Sequence, residues 1–154
     1  MKTFLKSVLF LGLTGFLCQC TNDPPPECGC DAETVYPIPN EEFEEVYGIP
    51  PGEQITGKLF FKHPEIVDGY YDYEEYSNMF WISQGQKGCW NCRRIFIVCN
   101  EELIGEEFHF LKQQGVYDSI PIQFSGNVKR TCIIRHLPAD MVYGRIQLKT
   151  LKNQ

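Results

Sequence analysis

Apolar and polar positions begin to alternate at Ile55 and keep a period near two through most of the remaining chain, which predicts strands rather than helices. Ile55-Thr56-Gly57-Lys58-Leu59-Phe60-Phe61 alternates apolar with polar or small residues before turning apolar, and His63-Pro64 closes it. Met79-Phe80-Trp81-Ile82 and Arg93-Arg94-Ile95-Phe96-Ile97-Val98-Cys99 carry continuous apolar stretches. Ser83 to Cys92 between them is glycine-punctuated and reads as the loop of a long-looped hairpin. Next, Asn100 offers a side-chain cap, Glu101 and Glu102 suit a helix start, and Gly115 ends the periodic set Leu103, Phe108, Leu111. That predicts one short helix, interrupted near Gly105. Ile120 to Lys129 alternates again, and Cys132-Ile133-Ile134 with Val142 to Leu151 complete the β set. Three strands, a helix and then closing strands is the order of the OB fold, so the expected class is mostly β: a small OB-like Greek-key barrel over residues 54–154.

Upstream of Gln54 the alternation fails. Residues 21–53 hold nine acidic residues, no basic ones, and the prolines Pro24-Pro25-Pro26, Pro37, Pro39, Pro50 and Pro51. Proline removes donors, like charges repel and little is available to pack, so residues 20–53 read as an extended acidic, Pro-rich tether. Cys28-Gly29-Cys30 interrupts it and can pin it to the domain. Before the tether, Lys2 and Lys6 precede the apolar run Val8 to Leu13, which is shorter than the ~20 residues of a spanning helix and reads as an export signal. Its end, Leu17-Cys18-Gln19-Cys20, resembles the lipobox of bacterial lipoproteins, where a Leu three residues before a Cys directs cleavage and lipidation at that Cys. Cys20 fits Leu17, giving a signal peptide over residues 1–19. Cys18, with Gly15 at the same offset, is a second candidate, and an ordinary secretory signal is the plain alternative.

Charge and cysteine usage narrow the partners. Removing residues 1–19 takes the net charge from −6 to −8, because Lys2 and Lys6 leave and all 20 acidic residues stay. Phosphate backbones are held by clustered Lys and Arg, and only Arg93-Arg94 and Lys129-Arg130 cluster here, inside strand-like runs, so nucleic acid is not expected. The expected contacts are a membrane through the N-terminal lipid and an envelope protein or glycan. Export places Cys28, Cys30, Cys89, Cys92, Cys99 and Cys132 where disulfides persist. The pairing expected from strand order is Cys99 with Cys132 across neighbouring strands, and the Cys28/Cys30 pair with Cys89/Cys92.

Some of these residues also resemble a known group. A strand ending in Cys99-Asn100, a short helix and Gly115, then Ile122-Gln123-Phe124-Ser125-Gly126-Asn127-Val128-Lys129 and the closing Gly144 to Lys152 resemble small bacterial envelope lipoproteins of the NigD-like group. The match covers about the last third of the chain. It implies the OB-like fold and a lipid-anchored place in the cell envelope, outer membrane included, at the periplasmic face or the cell surface. It carries no catalytic residues, and the tyrosine-rich and Cys-Trp-Asn-Cys segments depart from it.

Candidate chemistry is sparse. Cys89-Trp90-Asn91-Cys92 has the spacing of a thiol-redox motif, but no helical pattern comes after it. Cys28, Cys30, Cys89 and Cys92 have the composition of a structural zinc site, with structural disulfides as the plain reading. Residues 68–76 form an acidic aromatic loop whose Tyr70, Tyr71, Tyr73 and Tyr76 could stack on sugar rings or anchor a partner, or half-pack on the barrel. The carboxylates there lack the order of a calcium loop. His63, His109 and His136 are scattered, and no triad, phosphate loop or carboxylate pair is present, so no cofactor and no enzyme activity are expected. Trp81 and Trp90 read as core and loop packing. The expected role is non-enzymatic binding or envelope support, with glycan binding by the tyrosine loop and thiol redox chemistry at Cys89/Cys92 as alternatives.

Overall fold

The computed structural model describes residues 26–40, 55–64, 76–86, 89–113, 116, 118–132 and 140–154. Cys20, Tyr70, Tyr71, Tyr73, Gly115 and the pair Ile133-Ile134 lie outside the described residues. Six strands form: β1 (Thr34–Ile38), β2 (Ile55–Lys62), β3 (Met79–Gln86), β4 (Cys89–Val98), β5 (Ile120–Lys129) and β6 (Met141–Asn153). Hydrogen bonding runs β5-β2-β3-β4-β6 and returns to β5, closing a five-stranded barrel, while β1 adds to β5 from outside. All pairs are antiparallel except β4 with β6, which run parallel. A three-strand meander, a helical connection and two closing strands make this an OB-like barrel, as the element order predicts.

The period-two residues fill the barrel. Ile55, Leu59 and Phe61 of β2 meet Phe80, Ile82, Phe96, Val98, Ile122, Phe124, Val128, Ile146 and Leu148 in one core. Burying each such side chain stabilises by roughly 1.5–3 kcal/mol. The continuous apolar runs of β3 and β4 have a different cause: these strands are buried on both faces. Their outward residues Trp81, Ile95 and Ile97 form a second cluster with Tyr76, against which Phe60, Met79 and Tyr143 pack.

The expected helix is two 3-10 segments, Glu101–Leu103 and Glu106–Lys112, separated by Ile104 and Gly105. Ile104, Phe108 and Leu111 close one end of the core, where buried His63 donates from Nε2 to Leu111 O at 2.9 Å. Asn100 does not cap this segment. Its amide instead donates to Leu148 O at 2.9 Å and accepts from Leu148 N–H at 2.7 Å. One side chain thus copies a strand partner and continues the β4–β6 ladder past Cys99, whose N–H already bonds Ile146 O.

β5 carries three neighbours. β2 pairs with its first half, β1 with its second half, and β6 along its other edge. The register shifts between Ser125 and Gly126, a bulge that turns the strand. A Cβ at Gly126 would sit 2.6 Å from Gln147 O, so only glycine fits there.

The hairpin between β3 and β4 is tighter than its sequence suggests. Ser83 to Gln86 and Cys89 to Cys92 belong to the strands, and Gln86 pairs with Cys89. Cys28 and Cys30 pin the N-terminal segment as expected, but the tether reading needs correction at residues 34–38. Thr34–Ile38 is a strand, with Ile38 in the core and Pro37 tolerated because β1 lies at a sheet edge.

Candidate functional site

Every described cysteine is paired, but not as strand order suggests. The bonds are Cys28–Cys132, Cys30–Cys99 and Cys89–Cys92. Cys99 directly follows β4, whose barrel neighbours are β3 and β6, while Cys132 comes after β5. The two strands are not neighbours, so the expected Cys99–Cys132 bridge has no pair to cross. Gly29 N–H bonds Arg130 O at 2.8 Å just past β5, and the disulfides on either side of Gly29 reach the residues after β5 and β4. The same pairing separates Cys28 and Cys30 from Cys89 and Cys92, so these four do not assemble as zinc ligands, and no cluster of three or more metal-ligating side chains occurs among the described residues. Cys89 and Cys92 do bond each other, as a redox motif would. They open a strand, however, and Arg93 to Val98 continue it, so no helix N-terminus is there to stabilise a thiolate.

Of the four candidate tyrosines only Tyr76 is described, and it is no exposed platform. It is buried in the outer cluster, its hydroxyl donates to Cys132 O at 3.4 Å, and the Arg145 guanidinium lies 5.0 Å from its ring centroid. Arg145 Nη1 also reaches Cys30 Sγ at 3.1 Å, joining the disulfide-bonded segment to β6. Trp81 packs in the same cluster, donating from its indole to Tyr76 O at 3.1 Å. Its expected role as core is met.

Trp90 is the reverse case. It is 86% exposed, the largest apolar side chain left in water among the described residues. The Cys89–Cys92 bond closes a small ring around it, with the two Cα atoms 5.3 Å apart. Arg93 clamps that ring from below, donating from Nη1 to Trp90 O at 3.0 Å and Cys92 O at 3.1 Å. Its guanidinium lies over Gly85, its register partner, where an added Cβ would come within 3.6 Å of Nη1.

Beside this ring, the outer faces of β2, β3 and β4 form an open groove of about 360 Å³ lined by Thr56, Gly57, Lys58, Ser83, Gly85, Arg93, Pro121 and Gln154. Lys58 stands opposite Ser83 and Gly85 opposite Arg93. The lining side chains supply two cations, two hydroxyls and an amide. Neither Lys58 nor Arg93 has a carboxylate partner among the described residues. A signal for this was present in the sequence: β2 to β6 hold eight Lys or Arg residues and no Asp or Glu, although the whole chain carries −6. The acidic residues lie in the N-terminal segment, the 3-10 segments and the connections.

The fold assigns structural work to several residues of the Cys-Asn and Phe-Ser-Gly segments. Cys99 bonds Cys30, Asn100 holds Leu148, and Ser125 Oγ lies 2.7 Å from Thr150 Oγ1. Gly126 allows the close approach to β6, and Lys129 donates to Ala32 O at 2.7 Å. No protein-family profile matches the chain, and no curated protein matches it.

Proposed function

We propose that this chain is an exported, lipid-anchored envelope protein of the NigD-like kind, whose OB-like barrel binds a partner or supports the envelope without catalysing a reaction. The observation that carries the reading is the bonding of all six described cysteines in three disulfides. Two of them fasten the segment after the lipobox-like sequence onto the barrel, an arrangement suited to an oxidising compartment. The lipid at Cys20 holds an acidic protein beside a surface that would otherwise repel it, in keeping with the nine acidic residues of 21–53. The groove that Arg93 shares with the Trp90 ring favours binding over a purely supporting role, because it gathers polar and cationic groups.

Metabolic labelling with an alkyne fatty acid tests the anchor. The wild-type chain, expressed in an envelope-bearing bacterium, is expected to take up label and sediment with membranes, whereas Cys20→Ala takes up none and is released on washing. Equal sedimentation of both, without label, would eliminate the lipid anchor.

A further inference from the structure

We infer that the groove across β2, β3 and β4 binds a carboxylate-bearing saccharide, with Trp90 as stacking surface and Lys58 and Arg93 as the anion contacts. The inference rests on the reading of the chain as a binding module and names the ligand class of that module.

Trp90 sets the platform. An indole left 86% in water gains nothing for the fold, yet the backbone that carries it is held by a disulfide ring and two hydrogen bonds from Arg93. A ring closed in this way has already lost most of its backbone freedom, so a ligand that stacks on the indole has only the side chain left to order. Indole presents a broad apolar face of the kind that covers the C–H face of a pyranose.

Charge sets the class. Lys58 is exposed with no carboxylate partner among the described residues, and Arg93 spends only Nη1 on its two carbonyls, leaving the rest of its donor fork. An Arg fork beside a Lys suits a carboxylate. The hydroxyls of Thr56 and Ser83 supply the donor and acceptor pairs that sugar hydroxyls require. Two cations in a short groove are too few for a phosphate backbone, whose affinity needs a track of them. A single indole with a polar surround is also a weak membrane anchor. An acidic sugar uses the indole, both cations and both hydroxyls.

The test uses the mature protein with its disulfides intact, titrated by calorimetry and by tryptophan emission. The probes are tetrasaccharides containing galacturonate, glucuronate or sialic acid, their methyl esters, and phosphatidylglycerol vesicles. At least one acidic tetrasaccharide is expected to bind saturably and shift the Trp90 emission to the blue, while buried Trp81 stays silent. Its methyl ester should bind about tenfold more weakly, and added salt should weaken the acid form alone. Lys58→Gln should weaken binding by about five- to tenfold and Trp90→Ala by at least about tenfold. Both side chains are exposed, so their unfolding midpoints should match the wild type. Equal binding of acid and ester, unchanged affinity in both variants, or binding to vesicles but to no saccharide would overturn the inference. The soluble polysaccharide fraction of the native envelope separates the two levels of failure. Equal binding of that fraction by wild type and Trp90→Ala would eliminate the groove and leave the binding module standing. No saccharide bound at all, from either source, would remove the groove and count against the module as well.

Discussion

Cys28–Cys132 and Cys30–Cys99 overlap along the chain, and this overlap makes their stabilities interdependent in a calculable way. Alone, Cys28–Cys132 spans 104 residues and Cys30–Cys99 spans 69. In the chain-entropy account these loops are worth about 4.7 and about 4.4 kcal/mol. With either bridge already closed, the other shortens only the path from Cys28 to Cys30, across the bond, and from Cys99 to Cys132, a loop of about 35 residues. Each is then worth about 3.8 kcal/mol. Removing either bridge by paired Cys→Ala substitution should therefore cost the same, about 3.8 kcal/mol, and removing both about 8 kcal/mol. That sum is comparable with the whole stability of a domain this size, so the four-cysteine variant should be largely unfolded at room temperature. Urea unfolding followed by Trp81 emission measures these differences. The variant Cys99→Ala with Cys132→Ala is the sharpest control. With the pairing seen here it breaks two bridges and costs about 8 kcal/mol. Were Cys99 bonded to Cys132, it would break one and cost about half as much. A loss near 4 kcal/mol in that variant, or a loss under about 1 kcal/mol on removing either bridge alone, would refute the reasoning.

Two further substitutions probe how β6 is held. Gly126→Ala drives a Cβ to 2.6 Å from Gln147 O; it should cost about 2–3 kcal/mol by urea unfolding, since the obstruction is backbone rather than a flexible side chain. Asn100→Ala removes both hydrogen bonds to the Leu148 backbone; it should cost about 2 kcal/mol and speed hydrogen exchange at the Leu148 amide, whereas unchanged exchange would mean that the side chain does not hold β6.

How much of this was legible in the sequence depends on whether the cause was local. The strands of the barrel were readable because burial on one face writes period two, as in Ile55, Leu59 and Phe61 of β2. β1 was not, because Pro37 and its acidic surroundings look like tether, and the strand is held by pairing with β5 and by disulfides far away in sequence. Asn100 was read as a helix cap because its local context fits one, yet its partner, Leu148, is 48 residues distant. Cysteine pairing failed for the same reason. Chain order places β4 and β5, which lead to Cys99 and Cys132, in succession, while barrel closure inserts β6 between them. The groove was the least legible feature. Lys58, Ser83 and Arg93 lie on three strands, and nothing in the local spelling of Cys-Trp-Asn-Cys shows that its indole faces water.

Export and the closure of the barrel onto its N-terminal segment by cysteines stand or fall together. Peptide mapping under non-reducing conditions, on protein taken from its native membrane fraction, tests this most directly. It should yield a lipid-bearing N-terminal peptide beginning at Cys20 and the linked pairs Cys28 with Cys132, Cys30 with Cys99, and Cys89 with Cys92. An unmodified N-terminus with free thiols at Cys28, Cys30, Cys99 and Cys132 would contradict both the export and the architecture that depends on it.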